Sequence, residues 1–158
     1  MVLDGSEVNR KMSDWKSELE RFFQEKSQQE VTNAVQLVET TAEVLAFYSN
    51  VVIPAFEELK TELEKHQRKV LVTRGDMAAT IEVEHNGQFE LKYSVRVRIG
   101  PRQAFPYPAT QFRDKSDGKI YRAEGELRSG SQDYSIAEIT KDEIIKHFLT
   151  NYKMQISL

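Results

Sequence analysis

The chain has 158 residues, 39% hydrophobic and 30% charged, with a formal net charge of −3. That length suits one domain, or one domain with a helical extension, and the apolar fraction is enough for a core. The net charge argues against a general nucleic-acid binder, and the lack of cysteine removes disulfides, thiolate metal sites and cysteine nucleophiles together.

The stretch Met1 to Glu7 has neither the basic start nor the apolar run of a signal peptide. The longest apolar run, Val51 to Phe56, is far short of a membrane span. The expectation is a cytoplasmic protein without membrane contact. Charge is uneven along it: residues 1–91 hold 10 Lys+Arg and 17 Asp+Glu, whereas residues 92–128 hold 9 and 4. An acidic helical part therefore precedes a basic segment.

Val8, Met12, Trp15, Leu19 and Phe22 step by 4 and 3, the spacing of a helical heptad. Ser27-Gln28-Gln29-Glu30 then reads as a capping box, which predicts a break near Ser27 and a second helix beyond it. In that second helix Val31, Val35, Val38, Ala42, Leu45, Ser49, Val52, Phe56, Leu59 and Leu63 continue the same step. An unstrained helix drifts off such a seam by about 20° per heptad, so the seam predicts coiled-coil packing. A second stripe, Leu37, Thr41, Val44, Tyr48, Val51 and Ala55, lies beside it, and two buried faces predict a bundle. Pro54 cannot donate to the Asn50 carbonyl, so the helix either kinks or restarts there; the surviving phase favours a kink.

After Lys69 the period changes to 2. Val70-Leu71-Val72 reads as a short strand. Ala79, Ile81 and Val83 alternate with polar residues, as do Phe89, Leu91, Tyr93, Val95, Val97 and Ile99, which predicts a hairpin. A two-residue Asn86-Gly87 loop would set every apolar residue against a charge. A three-residue loop, His85-Asn86-Gly87, pairs Val83 with Phe89 and Ile81 with Leu91 and is preferred. Residues 100–108, with Pro101, Pro106 and Pro108, read as a loop, followed by strands near 109–114 and 119–128. Thr140-Lys141-Asp142-Glu143 is a capping box with Ile139 and Ile144 as its staple, opening a helix buried through Ile145, Phe148 and Leu149. Tyr152, Met154, Ile156 and Leu158 alternate, consistent with a closing strand.

The predicted fold is α+β: an N-terminal antiparallel helical hairpin with heptad packing, then an antiparallel sheet of four to six strands capped by a C-terminal helix. Residues 1–68 form the hairpin and oligomerisation region. Residues 69–158 form the sheet and its helix, one compact unit with the helices.

Catalytic signals are weak. His147 follows Glu143 by four residues, a spacing that orients an imidazole but more often marks an exposed helical ion pair. His66 sits at a helix end and His85 in the hairpin loop. Ser129-Gly130-Ser131 is a flexible turn rather than a nucleophile elbow. Glu82, Glu84 and Glu90 suit edge solubility as well as a carboxylate cluster. Neither a zinc-protease motif nor a phosphate loop occurs, and no cofactor or metal is called for.

The basic segment is the sharpest functional hint. Arg96, Arg98, Arg102, Arg113, Lys119 and Arg122 are candidate anion-binding residues, interleaved with Phe105, Tyr107, Phe112 and Tyr121. The plainer alternatives are a solvated face with cross-strand pairs, or a face covered by the acidic helices. The candidate oligomer interface is the seam: Val31, Val35, Val38, Leu45, Val52, Phe56, Leu59 and Leu63. The expected function is a non-catalytic oligomeric binding or assembly protein, a homo-oligomer with the dimer favoured, open to an acidic protein partner and with nucleic acid disfavoured. Anion or nucleic-acid binding on the basic segment is the alternative. An enzyme with a site near the 100–108 loop is the third.

Overall fold

The computed structural model describes residues 5–100, 103–128 and 134–157, with side chains from 14 onward apart from 35–39. The chain divides into two units, residues 1–39 and residues 40–158. Helix α1 is Gly5–Phe47, a π-helical turn follows at Tyr48–Val52, and α2 is Ile53–Glu64. The expected break at Ser27 is absent, and so is the expected helical hairpin, because no loop separates α1 from α2. The physical reason is that Ser27, Gln28 and Glu30 are all tolerated inside a helix; only glycine or proline would have forced a stop. Pro54 occupies the first turn of α2, where its missing N–H is least costly.

The second unit carries one antiparallel sheet of five strands in sequential order. They are β1 (Arg68–Arg74), β2 (Ala78–His85), β3 (Gln88–Ile99), β4 (Ala104–Arg113) and β5 (Ile120–Glu124). Helix α3, Lys141–Ser157, follows. Its predicted capping box forms: the Thr140 amide donates to Glu143 Oε2 at 2.9 Å and the Glu143 amide to Thr140 Oγ1 at 3.2 Å. The C-terminal segment is not a closing strand. Tyr152 stacks on Phe148 at 5.6 Å, one helical turn away, so the helical spacing prevails over the two-residue one.

The β2–β3 hairpin differs from the expected register. His85 pairs with Gln88 and Glu84 with Phe89, so the loop is the two-residue Asn86-Gly87, both at positive φ (54° and 76°). A bulge between Val83 and Glu84 then resets the phase, so that Val83 opposes Leu91 and Ile81 opposes Tyr93. Burial still decides the pairing, but through one extra residue, Glu90, rather than a longer loop.

Strand β4 also corrects an expectation, because residues 104–108 lie in a strand rather than a loop. Its two prolines fit the ladder. The Ala104 carbonyl accepts from Ile136 and the Pro108 carbonyl from Gly125, both at 3.1 Å, so even-numbered residues of this stretch direct their backbone groups away from β3. Pro106 and Pro108 occupy those positions, where no N–H is needed by β3.

One face of the sheet forms the core with Tyr48, Val52, Ala55, Phe56 and Leu59 from the helical segment and Ile144, Phe148 and Tyr152 from α3. At its centre Tyr93 meets Phe56 at 6.0 Å and Phe148 at 5.4 Å, both edge to face. Burying each such ring contributes about 1.5–3 kcal/mol. Val52, Phe56, Leu59 and Leu63 of the expected oligomer seam are thus covered by their own chain. Val31 and Leu45 stay exposed, at 65% and 42%. Val35 and Val38 lie outside the described side chains.

Candidate functional site

The ladder determines where the basic segment goes. On β3, Leu91, Tyr93, Val95 and Val97 are buried, so Lys92, Ser94, Arg96 and Arg98 line the outer face. Opposite them stand Phe105, Tyr107, Ala109 and Gln111 of β4, and beyond those Arg122 and Glu124 of β5. Lys92, Arg96 and Arg122 share a shallow depression of about 200 Å³ with Thr80 and Ser94. The Thr80 and Ser94 hydroxyls bond at 2.8 Å, and Ser94 is the buried polar residue of this face. None of the three cations makes an ion pair among the described residues.

The remaining candidates disperse. Arg98 stands 4.9 Å over the Tyr107 ring and lines a separate cavity of about 420 Å³ with Phe105, Tyr134, Glu124 and Glu126. Arg113 lines a third cavity, about 330 Å³, with Lys115, Arg68 and His85. Lys119 lies in the turn before β5, its amide bonded to Asp117 and its carbonyl to Asp114, and borders none of these cavities. Arg102 falls outside the described residues, as does Ser129-Gly130-Ser131. The ladder therefore brings two of the six anion-binding candidates, Arg96 and Arg122, into the depression, while Arg98 shares the outer face but lines the other cavity.

Two polar clusters escape a pattern-based reading. Arg68 Nε and Nη2 donate to the two carboxylate oxygens of Glu90 at 3.1 and 3.3 Å, and the Tyr152 hydroxyl donates to Glu90 Oε1 at 2.7 Å. The Glu90 bond raises the Arg68 pKa further, and burial followed by the Glu90 bond pushes the Tyr152 hydroxyl up to about 12. No sequence signal marked it: Phe89, Leu91 and Tyr93 alternate without a slip, and the bulge turns Glu90 out of the row formed by Glu82 and Glu84.

The other cluster surrounds His147. Its expected partner, Glu143, instead receives Arg128, at 3.0 and 3.3 Å, and caps Thr140. His147 turns inward, with Nδ1 2.7 Å from the Tyr93 hydroxyl. Burial holds it below the usual imidazole range, partly opposed by its bond to the Glu126 carbonyl. An imidazole bonded on both sides to groups of its own fold is a packing element, not a base presented to a substrate. Among the described residues no group of His, Asp or Glu has the arrangement of a metal site.

A glycine betaine transporter of Acinetobacter baylyi is 25% identical to this chain over 114 residues, which is 72% of this chain. The chain spans only 17% of that relative's length. No family model matches, and no solved structure does. Among the described residues no helix is long and apolar enough to cross a membrane.

Proposed function

We propose that this chain is a non-catalytic, self-associating binding or assembly protein whose N-terminal helix docks against a second copy of itself. The observation that carries this reading is the exposure of Trp15, Leu19, Phe22 and Phe23, at 50%, 47%, 57% and 54%. Phe22 and Phe23 touch edge to face at 5.4 Å, yet their own helix leaves them open. Single exposed apolar residues need no explanation, but four within nine positions, three of them at heptad spacing, do. A second copy presents the same stripe, so an isologous pair buries both at once.

Sedimentation equilibrium of the full chain at micromolar concentration is the test. A dimer is expected, and Leu19→Ser with Phe22→Ser should leave a monomer whose sheet unit melts unchanged. A clean monomer mass for the wild-type protein would sink the proposal.

A second reading is anion binding on the outer sheet face, favoured by Lys92, Arg96 and Arg122, which make no ion pair among the described residues, beside the Thr80–Ser94 hydroxyls. Such binding must weaken steeply with salt if phosphates are its target. Arg96→Glu would abolish it without touching the core. We expect no tight DNA or RNA binding at physiological salt; a nanomolar, salt-sensitive affinity would promote this reading over the first.

A further inference from the structure

The cavity at the edge of β4 has two chemically distinct ends. Beyond Ala109 the outer edge of β4 pairs with β5, and at Ala104 it is closed by the amide of Ile136. The Pro108 carbonyl takes the amide of Gly125. Between these two closures lies Pro106, whose carbonyl points the same way by the parity of the ladder; among the described residues no donor reaches it. The cavity of about 420 Å³ opens at this gap.

Its walls sort by charge. Glu124 and Glu126 flank the gap, and neither makes an ion pair among the described residues. Arg98 stands on the other side, equally without a carboxylate partner. The rings of Phe105 and Tyr107, on β4, lie between, and Tyr134 also lines the cavity. Tyr134 is held fast: it is buried to 3% exposure, and its hydroxyl accepts the Leu127 amide at 2.6 Å. The floor between the two glutamates is Gly125, where a Cβ would meet nothing nearer than a Pro108 carbon at 3.9 Å, so a side chain there would extend into free space.

An opening with carboxylates and the Pro106 carbonyl on the β5 side of β4, a guanidinium on the β3 side and aromatic faces between complements one kind of small molecule. We infer that this cavity binds a small zwitterion, an alkylammonium carboxylate. The ammonium lies against Glu124, Glu126 and the ring faces, and the carboxylate lies on Arg98. Pro106 supplies an acceptor only for an ammonium that still carries N–H groups. This assignment goes beyond self-association and does not depend on it.

Amide NMR titration of the full chain, followed at Tyr107 and Gly125, tests the assignment with glycine, N,N,N-trimethylglycine, methylammonium and acetate as probes. At least one zwitterion should saturate with a Kd of about 1 mM, tighter than either half-molecule. A preference for glycine would assign the Pro106 carbonyl a part in binding; a preference for the trimethylated probe would assign the ring faces. Arg98→Gln should weaken the zwitterion roughly tenfold and leave methylammonium unchanged. Gly125→Ile should abolish binding of every probe by filling the floor. No saturable shift below ~50 mM would overturn the inference, as would saturation that neither variant alters. Sedimentation of the same sample reads self-association separately, so either result stands without the other.

Discussion

Replacing Glu90 by alanine tests the account of the hairpin bulge most directly. Glu90 is the extra residue of β3, and its carboxylate is the common acceptor for Arg68 and Tyr152. Removing it leaves the phenol without its acceptor and the guanidinium with only the His66 carbonyl, 3.0 Å from Nη1, in a site where the side chains of Arg68 and Glu90 are only 22% and 15% exposed. Breaking a fully buried pair costs about 3–5 kcal/mol, and the residual exposure here sets the expectation near the lower end, about 3 kcal/mol. For a chain of this length that lowers Tm by about 6–12 °C, at 2–4 °C per kcal/mol. Urea unfolding followed by circular dichroism gives the free energy, and a double-mutant cycle apportions it. Arg68→Met combined with Glu90→Leu removes both charges, so it should cost less than the two single changes added together, with a coupling of about 1–2 kcal/mol. A cost under about 0.5 kcal/mol for Glu90→Ala, or strict additivity in the cycle, would refute the claim that the bulge is anchored by this triad.

Three further outcomes follow from the same geometry. The Tyr152 hydroxyl titrates near 10 in the unfolded chain and at about 12 when folded, so stability should be intact below pH 10 and fall as pH rises toward 12. Tyr152→Phe should flatten that fall in urea midpoints, and an unchanged slope would remove Tyr152 from the account. His147 runs the other way: burial lowers its folded pKa beneath the usual 6.5, so stability should hold above about pH 6.5 and drop below it as the unfolded chain takes up the proton first. His147→Gln should lose that component between pH 7 and 5, and an identical acid slope in the variant would show that the imidazole does not contribute. Gly87 sits at φ 76°, and a Cβ added there would meet nothing within 4 Å, so Gly87→Ala should cost about 1–2 kcal/mol from backbone strain alone, with Gly87→Asn costing less. Equal costs for alanine and asparagine would point to a contact rather than to strain.

Local chemistry makes much of the sheet unit legible. Period-two alternation over 78–99 becomes β2 and β3, and the Thr140 box opens α3 at Lys141, where its hydrogen bonds require. The features that mislead are those whose sequence signal is shared by two structures. A heptad seam from Val31 to Leu63 suits either a partner helix or the chain's own sheet, because 3.5 and 3.6 residues per turn diverge little over a few turns. From Val52 onward the sheet is the partner. Likewise Ser27 can cap a helix or sit inside one, and no neighbouring glycine or proline decides between them. A regular ladder cannot absorb the Asn86-Gly87 loop, and the bulge that does absorb it leaves no mark on composition.

The candidate sites are harder to see, for a topological reason. A run of basic residues over 92–128 looks like one patch when counted along the chain, yet the meander folds it across three strands. Alternation then sends Arg96 and Arg98 to the outer face, while Arg113 ends β4 and Lys119 lies in the turn beyond it. The prolines mislead most. Pro106 and Pro108 make 100–108 resemble a loop, because proline removes a ladder donor wherever it stands in a central strand. In β4 both stand at positions whose backbone groups turn away from β3, so nothing in that pairing is lost. The same substitution of nitrogen for N–H leaves an edge that can accept but cannot donate. An edge of that kind resists pairing with another strand and favours a donor from elsewhere. Ile136 and Gly125 supply such donors at Ala104 and Pro108, and the carbonyl between them faces the cavity lined by Glu124, Glu126 and Arg98.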